Sequence, residues 1–166
     1  MKTTKLPSYR QTALIIFAGC VGLILAALYM QEVLGMHPCP LCITQRIFII
    51  GVGLISLIAA IHNPAALGRK VYGCLATLSG VIGAGVSARH VWLQNLPEDQ
   101  VPACGPDLAY MFDAFPLLDA LKLLFAGDGN CADVVASFLG LSIPGWTFVA
   151  FVGLIAISVW QGLRKA

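Results

Sequence analysis

Charge is what this chain has least of. Only 11% of its 166 residues are Asp, Glu, Lys or Arg, where soluble domains average about 25%. That deficit excludes an ordinary water-facing globule. With 58% hydrophobic residues and a mean hydropathy of +0.85, the chain reads as one whose solvent is lipid. The net charge is only +2 and no basic block is present, so nothing argues for a nucleic-acid partner. Signatures of a bound redox group are missing too. There is no G-x-G-x-x-G for a nicotinamide or flavin dinucleotide and no C-x-x-C-H for haem. The length fits one domain, residues 1–166.

What the chain does have is long apolar runs. A membrane span needs about 20 mostly apolar residues, and four windows qualify: 11–31, 41–61, 71–88 and 143–163. Arg46 is the one charge among them. Lipid offers no partner for backbone N–H and C=O groups, so each window is expected to be a helix. The predicted fold class is an all-α membrane protein, a four-transmembrane-helix bundle with a long outer loop.

Basic residues set the expected orientation. Lys2, Lys5 and Arg10 precede the first span, Arg69 and Lys70 lie between the second and third, and Arg164 and Lys165 follow the fourth. Under the positive-inside rule these ends face the cytoplasm, and so do both termini. The loop at about 90–142 carries seven of the eight acidic residues and one lysine, and belongs outside. The first span is longer than a signal-peptide core and lacks a small-x-small cleavage site, so it is expected to be retained. Trp92 and Trp146 fall at the outer interface and Trp160 at the inner one, as lipid anchors. Ala76, Gly80, Ala84 and Ala88 form a stripe of small residues suited to close helix packing.

The six cysteines divide by position. Cys20 and Cys74 lie within spans and read as small apolar packing residues. Cys39, Cys42, Cys104 and Cys131 all fall on the expected outer side, where disulfides persist. Two pairs follow naturally, Cys39 with Cys42 and Cys104 with Cys131, although sequence alone does not fix the pairing. A disulfide across so short a loop as Cys39-Pro-Leu-Cys42 constrains little of the unfolded chain, so a structural role is a poor explanation. The spacing suits reversible exchange. Cys42 is expected in the first turn of a helix, where free amides favour a thiolate. Arg46 lies one turn further along the same face. Zinc is not expected, because the loop cysteines are 27 residues apart and supply no second Cys-x-x-Cys.

Cys104 in "VPACGPD" and Cys131 in "GDGNCAD" sit among Gly, Pro and Asp. That composition predicts a mobile loop, good for a disulfide that meets a partner and poor for a rigid staple. A static disulfide holding the loop is the competing reading. Between them, "FPLLDALKLLF" is too short to cross a membrane. A short helix starting near Pro116 is expected, either on the membrane surface or over the bundle top, and the surface position would leave both loop cysteines free.

A sulfur pair that oxidises other thiols must itself be reoxidised. With no bound redox group encoded, the acceptor is expected to come from the membrane, and a lipid-soluble quinone fits. A charge inside a span is costly and usually functional. Arg46 is therefore expected to hold a quinone carbonyl oxygen as charge develops on it. His90, ending the third span, is a candidate to bind a quinone oxygen or to carry a proton.

These residues resemble the DsbB family of bacterial inner-membrane quinone:disulfide oxidoreductases. "PCPLCITQR" looks like that family's second-span motif, and "HVWLQNLP", "PACG", "GNCAD" and "FLGLSIPGW" follow in the same order. The resemblance implies a quinone-dependent thiol oxidase that reoxidises a periplasmic, thioredoxin-fold, DsbA-type dithiol oxidase, and the relay itself is a general property of such systems. It implies that Cys104 receives the partner's attack, Cys131 pairs with Cys104, Cys39 exchanges with the loop pair, and Cys42 faces ubiquinone or menaquinone. Arg46 would stand beside the quinone and His90 nearby, with no metal cofactor. It also implies four helices and a short surface helix in the outer loop. Some relatives carry an acidic residue where this chain has Gln45. A reductase running the relay in reverse, or a four-span protein with static disulfides, remains open on the residues alone.

Overall fold

A computed structural model of the chain describes residues 7–103, 105, 110, 113–127, 129–134 and 136–164. Cys104, a candidate site residue, lies outside the described residues. Four long helices run Tyr9–Glu32 (α1), Pro40–His62 (α2), Ala66–Gln94 (α3) and Ile143–Leu163 (α5). Each contains one of the four apolar windows. All four are long and apolar enough to cross a membrane, and the chain is a multi-pass membrane protein.

Local chemistry sets the helix ends. Ser8 and Gln11 form a reciprocal capping box at the start of α1. Pro40 opens α2, where its missing N–H costs nothing. Asn63 closes α2 in the left-handed region, which asparagine tolerates. Helix α3 has 29 residues, about 44 Å at 1.5 Å per residue, so it overhangs a hydrocarbon core of roughly 30 Å.

The helices pack in chain order. The main interfaces are α1 on α2, α2 on α3 and α3 on α5, while α1 and α5 meet over few residues. A core of Ile16, Cys20, Ile49, Val52, Ala76, Ala84, Phe151 and Leu154 lies between them. Outward-facing Ile15, Leu25, Ile47, Ile61 and Leu78 are all more than half exposed. In water that surface would aggregate, and in lipid it is the solvated face.

The small-residue stripe on α3 differs in part from expectation. Ala76, Gly80 and Ala84 are buried, but Ala88 is exposed. Backbone meets backbone at Gly73, where an added Cβ would stand 2.9 Å from the Gly162 Cα of α5. The helix turns by about 100° per residue, so a spacing of four drifts, and Ala88 has left the interface by the third step.

One end of the bundle is roofed by the loop. Leu117–Ala126 forms the short helix α4, with Pro116 as its N-cap. Ala120 and Leu124 are buried, while Leu117 and Leu118 point outward, so α4 both covers and protrudes. A 3-10 turn, Gly129–Cys131, follows. A two-residue hairpin, Ser137–Phe138 with Leu141–Ser142, then leads into α5.

Candidate functional site

Cys39 is the N-cap of α2, and its Sγ accepts from the Cys42 N–H at 3.4 Å. The sulfur that begins the helix is thereby held beside the sulfur in its first turn, and the two Sγ atoms are 3.2 Å apart. A disulfide bond of about 2.05 Å needs only a small side-chain rotation from there.

Helix α3 brings His90 to this pair. Its Nε2 lies 3.8 Å from Cys39 Sγ and its Nδ1 lies 4.0 Å from Cys42 Sγ. The ring is buried. Gln45, one turn beyond Cys42 and also buried, fixes it through Nε2 to His90 Nδ1 at 3.1 Å. Sequence reasoning saw Gln45 only as a missing carboxylate. Its i+3 spacing from Cys42 puts it on the same face of α2, which was the available signal. The 45-residue separation from His90 hid the contact.

Arg46 turns toward α1. Its Nη1 donates to Gln31 Oε1 at 2.6 Å and its Nη2 donates to the Ala27 carbonyl at 3.2 Å. Gln31 in turn donates to Glu32 Oε1 at 2.8 Å. The guanidinium is thus held between two helices beside the cysteine pair. No pattern in the sequence marked Gln31 as its holder.

These groups face a cleft of about 380 Å³. One wall is α1 at Leu23, Ala26, Ala27 and Met30, and the facing wall is α5 at Thr147, Val149 and Ala150. Cys39, Cys42, Gln45, Arg46 and His90 line its back. Trp146, expected only as a lipid anchor, also lines it, with its indole N–H donating to the Phe138 carbonyl at 2.9 Å. A mostly apolar cleft with a few converging polar groups is the usual form of a small-molecule site.

Cys131 is not the free loop residue that the surface-helix reading implied. It is fully buried, packed with Leu41, Val86 and Leu93, and Cys39 packs against the same cluster. Gly127 makes this descent possible. It has a φ of +75°, and an added Cβ would meet Leu93 Cδ1 at 2.5 Å and Leu41 Cδ1 at 3.0 Å. The composition of "GDGNCAD" described the backbone correctly as loop, but burial depends on what lies beneath.

Sulfur exchange inside an apolar four-helix scaffold is the chemistry of membrane thiol–disulfide oxidoreductases, and that class fits this chain. Residues 9–161 match the family described as disulfide bond formation protein DsbB. The chain belongs to that family, and with it to the disulfide oxidoreductases of disulfide bond formation. It is 99% identical over 166 residues to the disulfide bond formation protein B of Saccharophagus degradans, covering all of both chains. It is 52% identical over 145 residues to that of Nitrosococcus oceani, covering 87% of this chain and 86% of the relative. Identity to that of Methylococcus capsulatus is 51% over 156 residues, covering 94% and 95%.

Proposed function

We propose that the protein is a quinone-dependent thiol oxidase of the bacterial inner membrane, a single integral membrane domain over 1–166, which reoxidises a periplasmic DsbA-type thioredoxin-fold oxidase. The observation that carries this reading is the cleft, which joins the Cys39–Cys42 pair, Arg46 and His90 to the gap between two lipid-facing helices. A site reached from the hydrocarbon suits an acceptor dissolved in it. The charge asymmetry supports the cysteine end as periplasmic and both termini as cytoplasmic.

The relay runs on four sulfurs. The partner's thiolate attacks Cys104, assigned from its motif, and releases Cys131 from a Cys104–Cys131 disulfide. Cys131 packs in the same cluster as Cys39, so its sulfur attacks Cys39 and leaves Cys42 as the departing sulfur. A second partner thiolate resolves the mixed disulfide at Cys104. Exchange then returns the loop pair to a disulfide, with Cys39 and Cys42 reduced.

A ubiquinone or menaquinone bound in the cleft supplies the acceptor for two electrons and two protons. The cleft's volume and mostly apolar walls fit a quinone ring. Cys42 lines the cleft and would pass the electron pair of the reduced dithiol to a quinone bound there. Arg46, oriented by Gln31 and Ala27 before any substrate arrives, offers a fixed cation to the carbonyl oxygen that gains charge. His90 lies within 4.0 Å of both sulfurs and carries a proton away as Cys39 and Cys42 rejoin.

The test is quinone reduction, followed by absorbance, in detergent-solubilised protein supplied with a reduced thioredoxin-like partner. Turnover is expected in the native protein and background rates in Cys42→Ser. Absence of turnover with ubiquinone and with menaquinone, each with a competent partner, would refute the oxidase. Net reduction of the partner would assign the reverse direction.

A further inference from the structure

We propose that the reduced Cys39–Cys42 pair, together with His90, is a three-ligand site for a thiophilic divalent cation of the zinc class, and that occupancy withholds both sulfurs from exchange. The sequence offered no such site, because its cysteine spacing lacks a second pair and His90 is 48 residues from Cys42. The fold supplies the third ligand. One donor atom from each of the three side chains lies within 4.8 Å of the others.

The distances are close to those a tetrahedral ion would impose. Zinc–sulfur bonds of about 2.3 Å and zinc–nitrogen bonds of about 2.0 Å place sulfurs roughly 3.8 Å apart and each sulfur roughly 3.6 Å from the nitrogen. The observed separations are 3.2 Å between the sulfurs, 3.8 Å from Cys39 Sγ to His90 Nε2 and 4.0 Å from Cys42 Sγ to His90 Nδ1. The three donor atoms lie within 4.8 Å of one another, so shifts of roughly an ångström bring one imidazole nitrogen and both sulfurs to tetrahedral spacing on one ion.

Two further features favour a cation here. Metal-bound histidines are almost always held at their second nitrogen. Gln45 already holds His90 Nδ1, and a half-turn of its amide presents Oε1 to the Nδ1 proton that a metal on Nε2 requires. The charge also balances. Two thiolates, a neutral imidazole and a divalent ion sum to zero, which a low-dielectric cleft tolerates far better than two bare thiolates. The two thiol protons leave for solvent and no electrons move, so binding is reversible. The oxidised pair has no thiolate to offer, so the site exists only in the reduced state.

The block on turnover rests on the oxidase reading above, whereas metal binding requires only the reduced pair. The experiment therefore uses neither quinone nor partner. Full-length protein in detergent, carrying Cys104→Ser and Cys131→Ser so that the loop sulfurs stay silent, is titrated with Cd²⁺ alone. The thiolate-to-cadmium charge-transfer band reports occupancy. One Cd²⁺ per chain is expected after reduction and none after oxidation. The band should vanish in Cys42→Ser, and His90→Ala should weaken binding roughly tenfold or more. Unchanged affinity in His90→Ala, or equal binding by the oxidised protein, would overturn the site. Because His90→Ala empties a buried position, Co²⁺ bound to the unsubstituted His90 gives a second readout that does not depend on that variant folding. A tetrahedral d–d spectrum of mixed sulfur and nitrogen ligation supports the proposal, and one of sulfur and oxygen alone defeats it.

Discussion

Helices α1 and α5 meet at one end of the bundle and part at the other. At the end carrying both termini they are tied together. Gln161 donates to the Tyr9 carbonyl at 3.1 Å, and Arg164 donates to the Pro7 carbonyl. The buried residues of α1 are Tyr9, Thr12, Ala13, Ile16 and Cys20, none of them beyond its midpoint. From there toward the cysteines the two helices part, and the gap is the cleft. Gln161 and Arg164 at the closed end are taken up by backbone carbonyls. The polar groups at the open end are held from behind, Arg46 by α1 and His90 by Gln45, and face the gap. The difference teaches that this bundle spends its polar side chains on closure at one end and on a prepared site at the other.

Substitutions can break that contrast. Arg46→Ala should have the largest effect, raising the quinone KM on the order of tenfold to a hundredfold through loss of a charge-assisted contact. Steady-state kinetics checks it, with Arg46→Lys recovering part of the loss because a point charge survives without the fork. At the same end, Gly127→Ala forces a side chain into the left-handed region and against Leu93. It should cost about 1–3 kcal/mol locally and lift the 3-10 turn. Faster alkylation of Cys131 in the reduced protein would register that, and unchanged labelling would deny that Gly127 seats the turn.

The closed end should answer differently. Gly73→Ala places a methyl against the Gly162 backbone and should cost about 1–3 kcal/mol, the range for overpacking. A lowered thermal midpoint in detergent with unchanged quinone KM is the expected result. Gln161→Ala removes one interhelical hydrogen bond, worth about 0.6 kcal/mol in membrane bundles. It should move the midpoint least and leave turnover untouched. Loss of activity in either variant, with the fold intact, would mean the two ends are coupled.

The two cysteine regions show how far the sequence could be read. The α2 pair was legible because its spacing, its position before an apolar run and Arg46 one turn on are all local features. The short helix after Pro116 was legible for the same reason. Cys131 was not. Glycine and aspartate around it mark backbone conformation, and nothing nearby in the chain encodes Leu41 and Leu93 waiting beneath. Gln45 and Gln31 escaped notice because an amide on a helix signals nothing until its partner is known.

The sequence by itself determined the solvent, the four helices, the paired cysteines that open α2 and the family. Each is written in runs and spacings along one segment, where 20 apolar residues or two cysteines three apart have few physical alternatives. Only the tertiary structure decided that His90 joins the sulfurs, that α1 holds Arg46, that Cys131 is buried against Cys39's cluster and that a cleft opens between α1 and α5. Those depend on which helix faces which and where two of them part. Helix packing is set by the summed fit of many small contacts across distant segments, and no local pattern contains that sum.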